Sequence, residues 1–486
     1  MSAVSLTVPP PDEATPLVPA DATSVQRDEI KHVIRLGLPL MLQQIVDVTP
    51  QVLIVMLISH LNHGMSKELM AASALCGLFY RLTARSVVTG ISTAMSTMSS
   101  QAHGANKPWE IGLYFQAGIL VLAIAYLPLV ALLLSCSHIF VFLGQVESVA
   151  AIAGRMMWFN IPALPFYALY VLQANWIQGQ NRVLPLVFVD LAGQACMIST
   201  AYVLMYHTPL GIVGVVAAGA ITEVLKCSAL FGYIVYSGLF AQDWKGWDLP
   251  AAWRLVPSFA SLGAAGVVVT MCMAYAKYTI TILAGRLPDG AAAISASAGY
   301  DLLVACFGLV VQGLAVAGCI RVGNALGAND APRAKTVARL VLCLAAAYGL
   351  FAGCIMGIFK DLYLAVYMKD PTVRHLASGL ILTAAPFQVA TALFTTLLAI
   401  LQGCGLQSVG AKMSFAAYAV VGIPLGAALA FYHQSDIAGL WLGVLLGVTS
   451  VAAGGLFWLT RLDWDQLAAD AKERTRDTSS SPSSKA

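Results

Sequence analysis

Gln101-Ala102-His103-Gly104-Ala105-Asn106-Lys107-Pro108, "QAHGANKP", returns in altered form as "NALGANDAP" over Asn324 to Pro332, with Gly104 and Gly327 223 residues apart. The echo extends outward. "WIQGQ" at Trp176 to Gln180 answers "ILQGCG" at Ile400 to Gly405, and Gln178 and Gln402 are 224 apart. Pro162 and Pro386 are also 224 apart, and Gly214 aligns with Gly439 at 225. One offset holding at four places implies a duplicated unit. The repeated Gly-Ala-Asn reads as a tight reversal: glycine permits it, and asparagine tolerates the left-handed conformation and can cap the next helix. A hinge at an inner gate is the functional alternative for the same turns.

Composition sets the class. Of 486 residues 59% are hydrophobic and 10% charged, with mean hydropathy +0.78, whereas soluble domains carry about 25% charged residues. Ala117 to Cys136 is twenty residues without a charge, enough to cross hydrocarbon as a helix. The reading is an all-α polytopic membrane protein. Twelve transmembrane helices are expected, near residues 32–59, 70–99, 110–135, 149–177, 184–206, 211–238, 254–285, 291–320, 334–359, 372–402, 409–432 and 437–460. The most polar interior connection is "FAQDWKGWDLPA", residues 240–251. The expected organisation is a disordered tail 1–28, an N-lobe 29–239, a loop 240–251, a C-lobe 252–463 and a tail 464–486. Six spans per copy leave both copies in one orientation, so the two six-helix bundles are parallel repeats.

With both termini inside, inner loops and tails hold thirteen Lys and Arg against five outside. This places both termini in the cytoplasm. The plasma membrane and a vacuolar or other organellar membrane both fit. The N-terminus lacks an apolar h-region, so it does not read as a signal peptide. Seven of the ten cysteines lie in apolar runs and no CxxC occurs, so free buried thiols are expected rather than disulfides or a metal site. The net charge of +3 gives no reason to expect nucleic acid.

The quoted stretches, with "FLGQ" at Phe142 to Gln145, "QGQNRVLP", "RVGNALGANDAPRAK", "LQGCGLQSVGAKMSFAAYAVVGIPLG" and "GLWLG", resemble the multidrug and toxic compound extrusion (MATE) transporters in their eukaryotic form. The similarity runs from about Glu29 to Asp463, in both halves. It implies a two-lobed monomeric carrier that exports small organic compounds by alternating access against inward H⁺, or less favourably Na⁺, with no cofactor. No HExxH, GxSxG or GxxxxGK[ST] occurs to support an enzyme. A lipid-linked-precursor flippase and a non-transporting sensor or scaffold remain as alternatives.

Ionisable residues inside a membrane are costly and default to functional candidates. On the first helix Gln43, Gln44 and Gln51 share a face with Asp47 at helical spacing, beside Pro50. Asp47 reads equally as a coupling acid or as the partner of Arg81 or Arg85. Glu223 has Lys226 at i+3, and Asp190 lies near an inner helix end with access to water. Family relatives carry a Tyr-Glu pair on the eighth helix, and the resemblance places Tyr300-Asp301 there. It also places Lys277-Tyr278 and Thr391 where relatives carry glutamates. Gln388, Thr391 and Thr395 form a neutral polar stripe. These departures open organic anions or neutral metabolites as substrates. Lys277 lies about 12 Å from the outer end of its helix and Asp301 about 18 Å from its own, at 1.5 Å per residue. A lysine can span that difference. The two are expected to pair, with protonation of Asp301 releasing Lys277.

Overall fold

The computed structural model describes residues 22–59 and 66–475; of these, the side chains at 22–25, 47–59, 66 and 67 lie outside the description. No strand occurs among the described residues. The helices are α1 Ala22–Ser59, α2 Ser66–Tyr80, α3 Ser86–Gly104, α4 Pro108–Leu134, α5 Cys136–Phe142 and α6 Glu147–Gly179. There follow α7 Leu184–Tyr206, α8 Val213–Tyr236, α9 Leu239–Asp243, α10 Leu249–Ala284, α11 Gly290–Gly327 and α12 Ala331–Tyr367. The chain ends through α13 Pro371–Ala384, α14 Gln388–Gly403, α15 Gln407–Phe415, α16 Ile423–Ala427, α17 Asp436–Thr460 and α18 Trp464–Arg474.

Nine segments among the described residues are long and apolar enough to cross a membrane. Their exteriors carry exposed Leu127, Ile358 and Val366, which suits a hydrocarbon surround. Three expected spans fall outside that set. Residues 32–59 lie partly beyond the described side chains. The other two have a physical reason to be less apolar. α3 buries Ser92, Ser96, Thr97, Ser99 and Ser100 and packs on α6, α10 and α11. A helix surrounded by helices needs hydrogen-bond partners more than a lipid-facing apolar surface. α6 likewise buries Gln173.

α1 packs chiefly on α11 and α7, and α10 packs chiefly on α3, with α4 and α15 behind. The first core cluster therefore runs from Ala72 to Phe259 of α10. The second takes Val33, Leu36 and Leu40 of α1 together with α11, α12 and α14.

The two Gly-Ala-Asn turns meet each other. A Cβ on Gly104 would collide with the Asn324 carbonyl, and one on Gly327 with the Gln101 carbonyl. Asn106 and Asn329 sit at φ 57° and 59°, the left-handed region asparagine tolerates. Neither caps a helix. Lys107 is the residue before α4, with no side-chain cap, and Asp330 caps α12 by accepting from the Arg333 amide.

Three further expectations change. Residues 22–28 belong to α1, not to an unstructured tail; 1–21 lie outside the described residues. The C-terminal tail from 464 begins with a folded helix, α18, because Asp463 caps it and Trp464, Leu467, Ala468 and Ala471 form a buried stripe. The connection 240–251 is partly helical, with Asp243 fully buried. All ten cysteines are free, but Cys306, Cys343 and Cys354 are exposed, not buried. They occupy helix faces turned outward, where an apolar thiol suits hydrocarbon as well as a core.

Candidate functional site

Among the described residues, three ion pairs join charged side chains within the expected spans. In the first, Lys277 Nζ of α10 lies 3.0 Å from Asp301 Oδ1 of α11, and the two side chains are 44% and 29% exposed. This is the pairing expected from helix depth. It is an ion pair without hydrogen-bond alignment, since Asp301 Oδ1 has no hydrogen-bond partner. Its neighbour Tyr300 is 1% exposed and meets the Trp441 ring edge-on at 4.8 Å. Trp441 donates to Ser297 Oγ at 2.9 Å. Aromatic packing thus fixes the backbone beside Asp301 while the carboxylate stays reachable.

The α13–α14 break prepares this region. Pro386 sits in a 3-10 turn, Ala385–Phe387, that starts α14 at Gln388. Thr391 Oγ1 donates to the Phe387 carbonyl at 3.1 Å and Thr395 Oγ1 to that of Thr391 at 3.0 Å. The threonines satisfy backbone carbonyls of their own helix and present no charge. Tyr278 is half-buried.

The second pair joins α7 to α8. Asp190 is fully buried, with Lys226 Nζ on Oδ1, the Tyr170 hydroxyl on the same oxygen, and Gln43 Nε2 at 2.7 Å from Oδ2. Four helices meet on one carboxylate. Two expectations fail here. Asp190 does not reach water, and Lys226 turns to Asp190 rather than to Glu223 one turn away. The side chain at i+3 was reachable, but a fully buried carboxylate needs a cation more than a partly wetted one does.

The third pair is Arg85 and Glu223, with Arg85 Nη1 3.2 Å from Oε1. Arg85 also lies over the Tyr167 ring, 3.9 Å from its centroid, and Tyr167 shares a hydrogen bond with Thr89. Arg85 closes a π-helical turn, Arg81–Arg85. Glu223 thus neutralises Arg85. Arg81 is exposed. Gln44 is half-buried, and the side chains of Asp47 and Gln51 lie outside the described residues.

At the end carrying the repeated turns, a polar seam closes the bundle. Thr97 Oγ1 donates to the Gln402 carbonyl at 2.8 Å and accepts from Gln407 Nε2 at 2.9 Å. Gln101 Nε2 donates to the Gly403 carbonyl at 3.0 Å. With its amide turned to satisfy its neighbours, Asn324 donates to the Gly179 carbonyl at 3.1 Å. Arg474 of α18 sits over the seam, donating to Gln101 Oε1 at 3.0 Å and to the Cys404 carbonyl at 3.2 Å. Beside it, Glu29 takes both Arg321 and Arg333. Burial alone would raise the Glu29 carboxyl, but these two arginines hold it below the ordinary value. Sequence reading passed over Glu29, Arg474, Tyr170 and Tyr167. The only available signal was a charged or phenolic group in a weakly polar context, and that marks many residues.

Apolar helices enclosing charged pairs, closed by a polar seam at one end, define a polytopic helical membrane transporter rather than an enzyme. Residues 39–203 and 267–428 match the MatE family model, and the chain belongs to that family of membrane transporters. It is 28% identical over 470 residues to Protein DETOXIFICATION 16 of Arabidopsis thaliana, covering 96% of this chain and 95% of that protein. It is 30% identical over 397 residues to Multidrug and toxin extrusion protein 2 of Mus musculus, covering 81% of this chain and 68% of that protein. The fold superposes on the eukaryotic MATE transporter AtDTX14 with TM-score 0.85 at 23% identity, over 93% of this chain and 100% of that one.

Proposed function

We propose that this chain is a proton-coupled antiporter that exports small organic compounds by alternating access, with Asp301 and Lys277 as its exchangeable charge pair. The observation that carries the reading is the Lys277–Asp301 pair itself: 3.0 Å apart, partly exposed and short of hydrogen bonds. A proton on Asp301 dissolves the pair and frees a lysine charge. Tyr300, Tyr278, Gln388 and Thr391 are proposed as its neighbours on α10, α11 and α14, with Gln44 and Glu223, and Asp47 and Gln51 of the first helix, as further candidates. The relatives' names speak of multidrug and toxin extrusion, and organic export comes to this chain from them. Lys277 and Thr391 at the two positions where relatives carry glutamates favour anionic or neutral cargo over organic cations.

The architecture proposed is twelve spans in two parallel six-helix lobes, 29–239 and 252–463, joined by 240–251. Reciprocal contacts support it. Gly104 meets Asn324 as Gly327 meets Gln101, and Gln101 bonds Gly403 as Asn324 bonds Gly179. α1 crosses onto α11 as α10 crosses onto α3. These are the relations of a two-fold axis along the membrane normal. The seam is assigned to the cytoplasmic side, with both termini, by the distribution of Lys and Arg. The closed seam and the exposed ion pair then describe an outward-facing state. The membrane is the plasma membrane or that of an organelle.

A flippase would need Arg81 and Arg85 to form a basic groove open to lipid; Arg85 is committed to Glu223 and Tyr167, which leaves only the exposed Arg81 of the two. Reconstituted protein in liposomes tests the main reading. Efflux of labelled carboxylates or neutral solutes should follow an imposed pH gradient. Flux driven by sodium at zero pH gradient sinks the proton assignment.

A further inference from the structure

A cavity of about 540 Å³ opens at the seam end between α1, α7, α8 and α11. Its lining is basic: His32 and Arg35 from α1, Arg182 before α7, and Arg321 from α11, with Tyr233 of α8 opposite. No carboxylate lies within ion-pair distance of Arg35 or Arg182 among the described residues. Arg182 acts on Asp243 only at longer range, because that carboxylate takes Trp176 and Gln180 instead. Arg321 is the one lining arginine with a partner, and it shares Glu29 with Arg333. Two arginines and one carboxylate still leave a surplus of positive charge. An arginine fork matches phosphate oxygens two at a time.

The cavity's surroundings indicate where the phosphate comes from. Ile34, Leu38 and Leu42 of α1 are 54%, 66% and 49% exposed, and they fall on one face at i, i+4 and i+8. Leu184, Phe188 and Leu191 of α7 are 55%, 63% and 55% exposed at matching helical spacing. Both stripes begin at the cavity and run away from the loop end. Charge at a helix end beside an apolar stripe is the amphipathic form of a lipid: headgroup in the cavity, acyl chains along the stripes. Basic pockets between membrane helices bind phosphorylated headgroups by this arrangement.

We propose that this cavity is a headgroup site for an anionic phospholipid, held by Arg35 and Arg182. The site takes its walls from α1, α7 and α8 on one side and from α11 on the other. A lipid bound there bridges both halves of the molecule and favours the closed seam, to the extent that it binds that state better than an opened one. The proposal does not depend on what the protein carries.

Full-length protein in neutral detergent should retain dioleoyl phosphatidic acid in native mass spectrometry and gain thermal stability with it. Dioleoyl phosphatidylcholine should do neither. The double variant Arg35→Gln/Arg182→Gln should bind phosphatidic acid about tenfold more weakly, a difference of about 1.4 kcal/mol. Arg182→Gln alone should fall between. Arg461→Gln, a surface arginine outside the cavity lining that stacks on Phe457, should bind as the parent does. Both cavity arginines are exposed, so the variants should unfold near the parent's temperature without lipid. Equal binding by parent and double variant overturns the proposal, as does an equal loss in Arg461→Gln. Glycerol 3-phosphate giving the same stabilisation as phosphatidic acid overturns the lipid source and leaves a soluble phosphate site.

Discussion

Two charge centres within the helices of this molecule differ in how fully their carboxylates are buried and partnered. Around Asp190, four helices saturate a fully buried carboxylate with Lys226, Tyr170 and Gln43. Around Asp301, a single lysine stands at 3.0 Å in a partly exposed setting, without hydrogen-bond alignment. Saturation and burial make the first pair costly to open, so it works as a clamp. The second is partly exposed and loses less when it parts, which suits the charge exchange proposed for it. An intramembrane charge is therefore a candidate for coupling only when its partners leave it able to change state.

The contrast predicts opposite variant behaviour. Asp190→Ala removes the buried carboxylate on which Lys226, Tyr170 and Gln43 converge. It should cost on the order of 3–5 kcal/mol, seen as a large drop in thermal stability in detergent. Asp190→Leu with Lys226→Met should recover most of that loss, although Tyr170 and Gln43 lose their acceptor. A stable Asp190→Ala single variant would dissolve the distinction between the two centres. Asp301→Asn should cost less than about 1 kcal/mol, because partly exposed pairs are screened by water. The same change should remove pH-gradient-driven flux while leaving the protein folded. Normal pH-dependent flux in Asp301→Asn would move the coupling role to Asp47.

Sequence reading found what depends on position along a helix. The repeated turn was legible because Gly104 and Gly327 and their asparagines are chemically suited to it. The Lys277–Asp301 pair was legible because depth along two antiparallel helices follows from residue counts. Rotation about a helix axis is not written that way. Lys226 was paired with Glu223 at i+3, but α8 turns it towards Asp190 of α7. The register of α1 against α7, which brings Gln43 to the same carboxylate, was hidden for the same reason. α18 was missed because its buried stripe is only Trp464, Leu467, Ala468 and Ala471 within a charged, short segment. Its stability comes from the surface it lands on.

That surface gives a smaller test, at the seam. Arg474 joins Gln101 of α3 to the Cys404 carbonyl, and Lys107 and the Tyr114 hydroxyl hold the backbone carbonyls of Thr475 and Arg474. Hydrogen bonds to a charged group contribute roughly 1.5–3 kcal/mol when buried, and the partial exposure of Arg474 lowers that to about 1 kcal/mol. Arg474→Ala should open the seam more often without unfolding α3 or α14. Cys404, buried beside it, should react about fivefold faster with a polar thiol reagent, read residue by residue by mass spectrometry. Cys136, buried within the other half, should keep its rate. Equal acceleration at both would mean general loosening rather than an opened seam.

The smallest effect is expected at Asp243, where burial raises a carboxyl instead of lowering it. The side chain is fully buried, accepts from Trp176 Nε1 at 2.6 Å and from Gln180, and leaves Oδ1 without a partner. Burial pushes its pKa above the ordinary value despite the hydrogen bonds and the charge of Arg182. Folding therefore favours the protonated form. Its contribution is fully present below the ordinary carboxylate value and is lost as pH rises through the raised one. Asp243→Asn keeps an acceptor for Trp176 and Gln180 and removes the charge. It should gain no more than about 1 kcal/mol over the parent, with the gain greatest near neutral pH and vanishing in acid. Glu29 provides the opposite sign. Its lowered value means stability present above the ordinary carboxylate range and lost as pH falls through the folded value. The deficit of Glu29→Gln should therefore be greatest near neutral pH and shrink in acid. Thermal unfolding of both variants and the parent across acidic to neutral pH separates them. Parallel curves for Asp243→Asn and the parent would show that Asp243 carries the same charge folded and unfolded, and would remove it as a pH-dependent element of the inter-helix connection.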